Sequence, residues 1–183
     1  EVELDKNYAL VISTNAGLWR YMIGDTIKFT SLKPFRIKIT GRTKHFINAF
    51  GEEVIIDNAI AALNEACKQT GASIKDYTAG PIYLSEKNKG GHEWLIEFEK
   101  EPDKIEKFTT VLDKTLQKVN SDYEAKRKAN LALAMPLVNI IPDGTFYEWM
   151  RARGKLGGQN KVPQLCNDRR YIDDISEFVK KGK

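Results

Sequence analysis

Apolar residues fall first in short alternating runs and later in helical ones, and that change of period divides the chain. Residues 8–14, Tyr8-Ala9-Leu10-Val11-Ile12-Ser13-Thr14, are a compact apolar and β-branched run that predicts a strand, followed by a turn at Asn15-Ala16-Gly17. Residues 18–22 predict a second strand, Gly24-Asp25 a tight turn, and residues 26–30 a third strand. Pro34 interrupts, and Phe35-Arg36-Ile37-Lys38-Ile39-Thr40 alternates strictly, as a strand with one wet face does. About forty residues of strand cannot bury themselves independently, so a partner sheet is expected from outside this stretch.

From Gly51 the period lengthens. Glu52 and Glu53 precede Ile55, Ile56, Ala59, Ile60, Leu63, Ala66 and Cys67, the spacing of an amphipathic helix with acids at its positive end, stopping before Gly71. Strands are expected over about 74–84 and 92–98, with the polar stretch 86–91 as a hairpin loop. A second helix is expected from about Asp103 to Val119, marked at its start by Pro102 and acidic neighbours. Residues 122–128 read as helical, 135–141 as a strand, 145–154 as a short helix and 172–179 as a closing helix. This order predicts an α+β fold, an α+β domain behind a β appendage. The division is placed near Gly41-Arg42-Thr43-Lys44, giving units 1–40 and 41–183.

Composition narrows the classes. With 42% hydrophobic and 30% charged residues in 183, the chain is globular, with room for one full core and a small appendage. Its net charge of +4 is spread among interleaved acids and bases, not gathered in the basic stripe of a nucleic-acid domain. No apolar run is long enough for a membrane span. The start, Glu1-Val2-Glu3-Leu4-Asp5, has no leader-like pattern and no Met, and the chain is read as a piece of a longer cytoplasmic protein. Two cysteines, Cys67 and Cys166, suit a reducing compartment, with Cys67 expected as a small buried hydrophobe. His45 and His92 have no Cys or His at metal-ligand spacing, so no metal site is expected.

Two segments carry candidate chemistry. Asp25 follows Gly24 after an apolar and aromatic run, and a carboxylate with two acceptor oxygens can hold a ribose diol. Lys161 stands in the Gly-rich loop Gly157-Gly158-Gln159-Asn160-Lys161-Val162-Pro163, where an ammonium can reach a phosphate. Placed at opposite ends of the chain, they read as two halves of a nucleotide site closed by a moving domain.

Thr14-Asn15-Ala16-Gly17-Leu18-Trp19-Arg20-Tyr21, leading into Ile23-Gly24-Asp25, closely resembles the nucleotide motif of the auxin-responsive acyl acid–amido synthetases. These belong to the adenylate-forming superfamily that includes acyl-CoA synthetases and firefly luciferase. Gly41-Arg42-Thr43-Lys44 resembles that superfamily's hinge. Asn120, Tyr123-Glu124, Arg127, Pro136-Leu137, Gly144-Thr145-Phe146 and Gln159-x-Lys161-x-Pro163 follow the amido-synthetase C-terminal pattern in order.

The resemblance implies a ligase that uses ATP and Mg to turn a carboxylic acid into an acyl-adenylate, then passes the acyl group to an amine such as an amino acid. It implies that Asp25 takes the ribose hydroxyls, that Tyr21 flanks the nucleotide, and that Arg42 and Lys44 contact ribose or phosphates at the hinge. Lys161 is then the catalytic cation of the lid. By the resemblance, residues 41–183 are a small C-terminal lid domain with a mixed or antiparallel sheet and packed helices, and residues 1–40 are terminal strands of a larger N-terminal domain. That domain would hold the phosphate loop and acyl pocket, leaving this piece alone inactive. Met22 and Gln164 stand where plant members carry Arg, which points to a bacterial member. The alternative is a stand-alone α+β interaction or regulatory domain without catalysis.

Overall fold

The structure, a computed structural model, describes residues 2–42, 46–85, 89–128, 133–157 and 161–182. Among them are three sheets and five helices, the α+β architecture that the change of period predicts. β1 (Asn7–Ile12), β2 (Tyr21–Leu32) and β3 (Phe35–Arg42) form an antiparallel sheet in that order. The turn expected at Gly24-Asp25 does not form: β2 runs through it, and the two strands expected on either side are one. Ala9 pairs with Thr26 and Val11 with Met22, so Ile23, Gly24 and Asp25 together oppose Leu10. That is a bulge, and Gly24 at φ 92° supplies the left-handed backbone it needs. Gly-Asp here bends a strand instead of ending one.

The pairing puts Tyr8, Ile27, Phe29, Ile37 and Ile39 on one face of this sheet. Ile27 is buried, but Phe35, Ile37 and Ile39 are 69%, 51% and 66% exposed. The helix Ile56–Thr70 reaches part of β3, on which Thr40 is buried, but leaves these three residues open.

The second unit opens with a small ribbon, β4 (Phe46–Ile47) paired with β5 (Val54–Ile55), too short for a period to announce. α1 (Ile56–Thr70) stops at Gly71, whose left-handed φ of 65° turns the chain out. Its acidic first turn is supplied by Asp57 and not, as expected, by Glu52 and Glu53, which lie before the helix. Glu52 is instead drawn wholly inside. β6 (Ser73–Ile82) and β7 (Gly91–Lys100) form the expected hairpin, and its tip, 86–88, lies outside the described residues. α2 (Ile105–Val119) and α3 (Ser121–Arg127) cross over to β8 (Leu137–Ile141), which joins β7 in parallel. α4 (Thr145–Ala152) and α5 (Arg170–Lys181) complete the unit.

The mixed sheet, in the order β6-β7-β8, is covered on both sides. Trp94, Ile96 and Phe98 of β7 pack with Leu63 of α1 and Phe108, Leu112 and Leu116 of α2. Leu95 of the same strand packs with Phe146 and Trp149 of α4 and Ile172 and Ile175 of α5. Burying each such side chain contributes about 1.5–3 kcal/mol. Gly80 lets the start of α5 approach β6: an added Cβ would meet the Asp168 carbonyl at 3.0 Å and Ile172 Cγ1 at 3.1 Å. Cys67 is half-buried on α1, not sealed in the core as expected, while Cys166 is buried.

Candidate functional site

Asp25 stands at the bulge of β2, half-buried, directly opposite Arg42 on β3. The bulge turns its residues out of the regular ladder, which is how sheets re-aim a side chain beside a functional site. Thr40, buried on β3, fixes the neighbourhood: its hydroxyl donates to Asn7 Oδ1 at 2.8 Å and can accept from the Thr26 hydroxyl at 3.1 Å. Tyr21 begins β2 and is 53% exposed beside Trp19 at 81%, so both aromatics face outward on the rim. The turn before them is held by Thr14, whose N–H donates to Leu18 O at 2.9 Å, and by Ser13, whose hydroxyl accepts from Arg20 N at 3.0 Å. The sheet thus brings Asp25, Arg42 and Tyr21 into one three-stranded unit. Lys44, expected at the hinge, lies outside the described residues, as do Gln159 and Asn160.

Lys161 belongs to the other unit and is exposed on the loop that follows α4. Two residues on, the loop is fastened to β6. The Thr78 hydroxyl donates to Pro163 O at 2.7 Å, Ala79 N–H to Gln164 O at 2.9 Å, and Cys166 N–H to Ala79 O at 3.0 Å. Burial, together with the nearby Asp168 charge, pushes the Cys166 thiol up to about 11, so it stays protonated and packs as an apolar group.

A third group of residues escapes the sequence pattern. Glu52 has no exposed side-chain surface. Its carboxylate accepts from Ala49 N at 3.1 Å, Phe50 N at 2.6 Å and His92 Nε2 at 2.9 Å. Burial would raise its pKa, but the His92 hydrogen bond and charge and the backbone N–H groups outweigh that and hold it below its ordinary value. Asn120 closes the same loop from α3, donating to Glu52 O at 2.9 Å and Glu53 O at 3.2 Å, and its side chain accepts from Tyr123 N at 2.8 Å. Behind it, Arg127 grips Asp113 with two bonds of 2.7 and 2.8 Å, and the Tyr123 hydroxyl donates to Asp113 at 2.8 Å. Asn120 therefore ties the segment before α1 to the junction of α2 and α3, and Tyr123 and Arg127 pin α3 to α2 through Asp113. Nothing in the spacing of Glu52 announces its burial, since an acid after Gly reads as a wet helix start.

No group of three or more His, Cys, Asp or Glu among the described residues could hold a metal ion, and none of the described helices is long and apolar enough to cross a membrane.

Comparison with known proteins gives consistent results. The GH3 family C-terminal domain matches residues 57–170, and the GH3 family central domain matches residues 1–42. The indole-3-acetic acid-amido synthetase GH3.3 of Arabidopsis thaliana is 27% identical over 180 residues, covering 91% of this chain and 30% of that protein. The indole-3-acetic acid-amido synthetase GH3.8 of Oryza sativa subsp. indica is 26% identical over 184 residues, covering 89% and 29%. Among solved structures, the GH3.15 acyl acid amido synthetase matches with a TM-score of 0.75 at 20% identity, over 97% of this chain and 33% of that one. That likeness speaks for the fold. The chain spans about a third of the length of these relatives.

Proposed function

The chain belongs to the GH3 family, and from that premise we propose that it is the lid and the last strands of the large domain of an ATP-dependent acyl acid–amido synthetase. In this reading residues 1–40 end the large domain and residues 41–183 form the lid. The reaction has two steps. A carboxylate attacks the α-phosphorus of ATP, giving acyl-adenylate as pyrophosphate leaves. An amine such as an amino acid then attacks the acyl carbon, giving an amide as AMP leaves.

The observation that carries this reading is the register that sets Arg42 opposite Asp25 at the bulge of β2. Asp25 accepts both ribose hydroxyls, and Tyr21 on the rim of the same sheet flanks the nucleotide. Arg42 and Lys44 add positive charge toward ribose and phosphates where the two units join. Lys161 comes from the lid and offsets the charge that builds on the α-phosphate and the departing pyrophosphate. The described residues offer no carboxylate cluster for Mg, so the metal's ligands lie with the nucleotide and the rest of the enzyme. The phosphate loop and acyl pocket lie there too, so this chain by itself is inactive. The uncovered face of β3 is where the large domain would continue. The use of only two cysteines fits a reducing cytoplasm, and Met22 and Gln164 in place of arginines support a bacterial source.

Lys161→Ala in the full-length enzyme tests the assignment. Acid-dependent pyrophosphate release should slow by roughly a hundred- to a thousandfold, with little change in the KM for ATP, because the cation acts in the transition state. An unchanged rate would leave Lys161 an ordinary surface lysine.

A further inference from the structure

A lysine side chain is long and flexible, so its usefulness at a phosphate depends on where its backbone is held. The segment after Lys161 is held firmly. Leu165 is fully buried and bridges Ala79 in parallel, so residues 163–166 lie like a short extra strand along β6. Val162 packs against the core formed by α4 and α5, and the ring of Pro163 fixes its φ. Lys161 is two residues from the first clamp, about 7 Å of chain at most.

That first clamp is a side chain. Thr78 has no exposed surface, and its hydroxyl donates to the Pro163 carbonyl at 2.7 Å. The Cys166 thiol also approaches this carbonyl, at 3.9 Å, a weak contact beside the hydroxyl's. Backbone bonds follow farther along, at Gln164 and Cys166. A buried Thr in a strand needs a partner for its hydroxyl, and here the need is met by the residue that closes the Gln-x-Lys-x-Pro frame.

We propose that Thr78 is a positioning residue, whose hydrogen bond to Pro163 fixes the stalk from which Lys161 reaches the nucleotide phosphates. This rests on the reading of Lys161 given above. Thr78 touches no substrate. Its effect passes through Lys161 and so belongs in the rate of adenylation and not in ATP binding.

Full-length Thr78→Val keeps the shape and removes the hydroxyl. Acid-dependent pyrophosphate release should slow about tenfold in kcat, the upper range for one hydrogen bond, with the KM for ATP changed less than twofold. Thr78→Ser should restore the rate. In a Lys161→Ala background, Thr78→Val should cost nothing further. If it slows Lys161→Ala as much as the wild type, Thr78 is merely structural and the proposal is overturned while Lys161 keeps its role. If Lys161→Ala itself has the wild-type rate, the Lys161 reading fails and Thr78 falls with it. Should Thr78→Val not fold, Thr78→Cys, of similar shape but a weaker donor, must give an intermediate rate. Wild-type turnover in Thr78→Cys would overturn the proposal.

Discussion

At the scale of single residues, the roles proposed for Asp25 at the ribose and Lys161 at the phosphates make opposite demands on an experiment. Ribose contacts exist in substrate, intermediate and product alike, so removing them weakens binding uniformly and raises KM more than it lowers kcat. Asp25→Ala in the full-length enzyme should cost about 1.5–3 kcal/mol per lost charged hydrogen bond in affinity for AMP. Asp25→Asn is the sharper probe, because it keeps the shape and substitutes one acceptor oxygen with a donor amide. Two ribose hydroxyls that both donate cannot both be served, so the loss should be nearly as large. Titration calorimetry with AMP decides the matter, and wild-type affinity in Asp25→Asn would reduce Asp25 to a residue that shapes its bulge. The types of these residues, and their frames, are legible in the sequence. Their setting is less so: Gly24-Asp25 has the local chemistry of a turn, and only pairing to β1 and β3 makes it a bulge in a continuous strand.

At the scale of elements, long periodic segments read well and short or non-local ones do not. α2 and α5 follow from spacing alone, and so does the β6–β7 hairpin. The ribbon of β4 and β5 is two residues a side and carries no period. The parallel pairing of β8 with β7 depends on a crossover through α2 and α3 that no local pattern encodes. Glu52 is the plainest failure of local reading, since its burial is decided by His92, forty residues away in sequence. That pair makes the loop before α1 sensitive to acid. The Glu52 carboxyl has its folded pKa below the ordinary 4.5, so its contribution is complete above that value and is lost as pH falls through the lower folded one. Glu52→Gln presents an amide to donors and should cost about 1–3 kcal/mol at pH 7. Urea unfolding of wild type and variant at pH 7 and at pH 3 should show the gap narrowing in acid. A gap that is the same at both pH values would remove Glu52 from the acid response.

At the scale of the whole molecule, the two units differ in how completely they bury themselves. The β6-β7-β8 sheet has helices on both faces, and its central strand, β7, holds Trp94, Leu95 and Ile96 almost wholly out of water. The β1-β2-β3 sheet leaves Phe35, Ile37 and Ile39 largely exposed on its outer strand. With that apolar strand largely open to water, the sheet buries less per residue than the second unit does. The second unit has a core on each face of its sheet, and it should fold alone. Local opening should then be far easier in the sheet, and proteases act on locally opened chain. Limited trypsin digestion of the 183-residue chain should cut first among Lys28, Arg36 and Lys38 and leave a resistant piece beginning near residue 41. Mass spectrometry of the time course reads this directly. Equal rates of loss on both sides of residue 41 would mean that the lid leans on the strands for its stability, and the division of the chain at that point would be wrong.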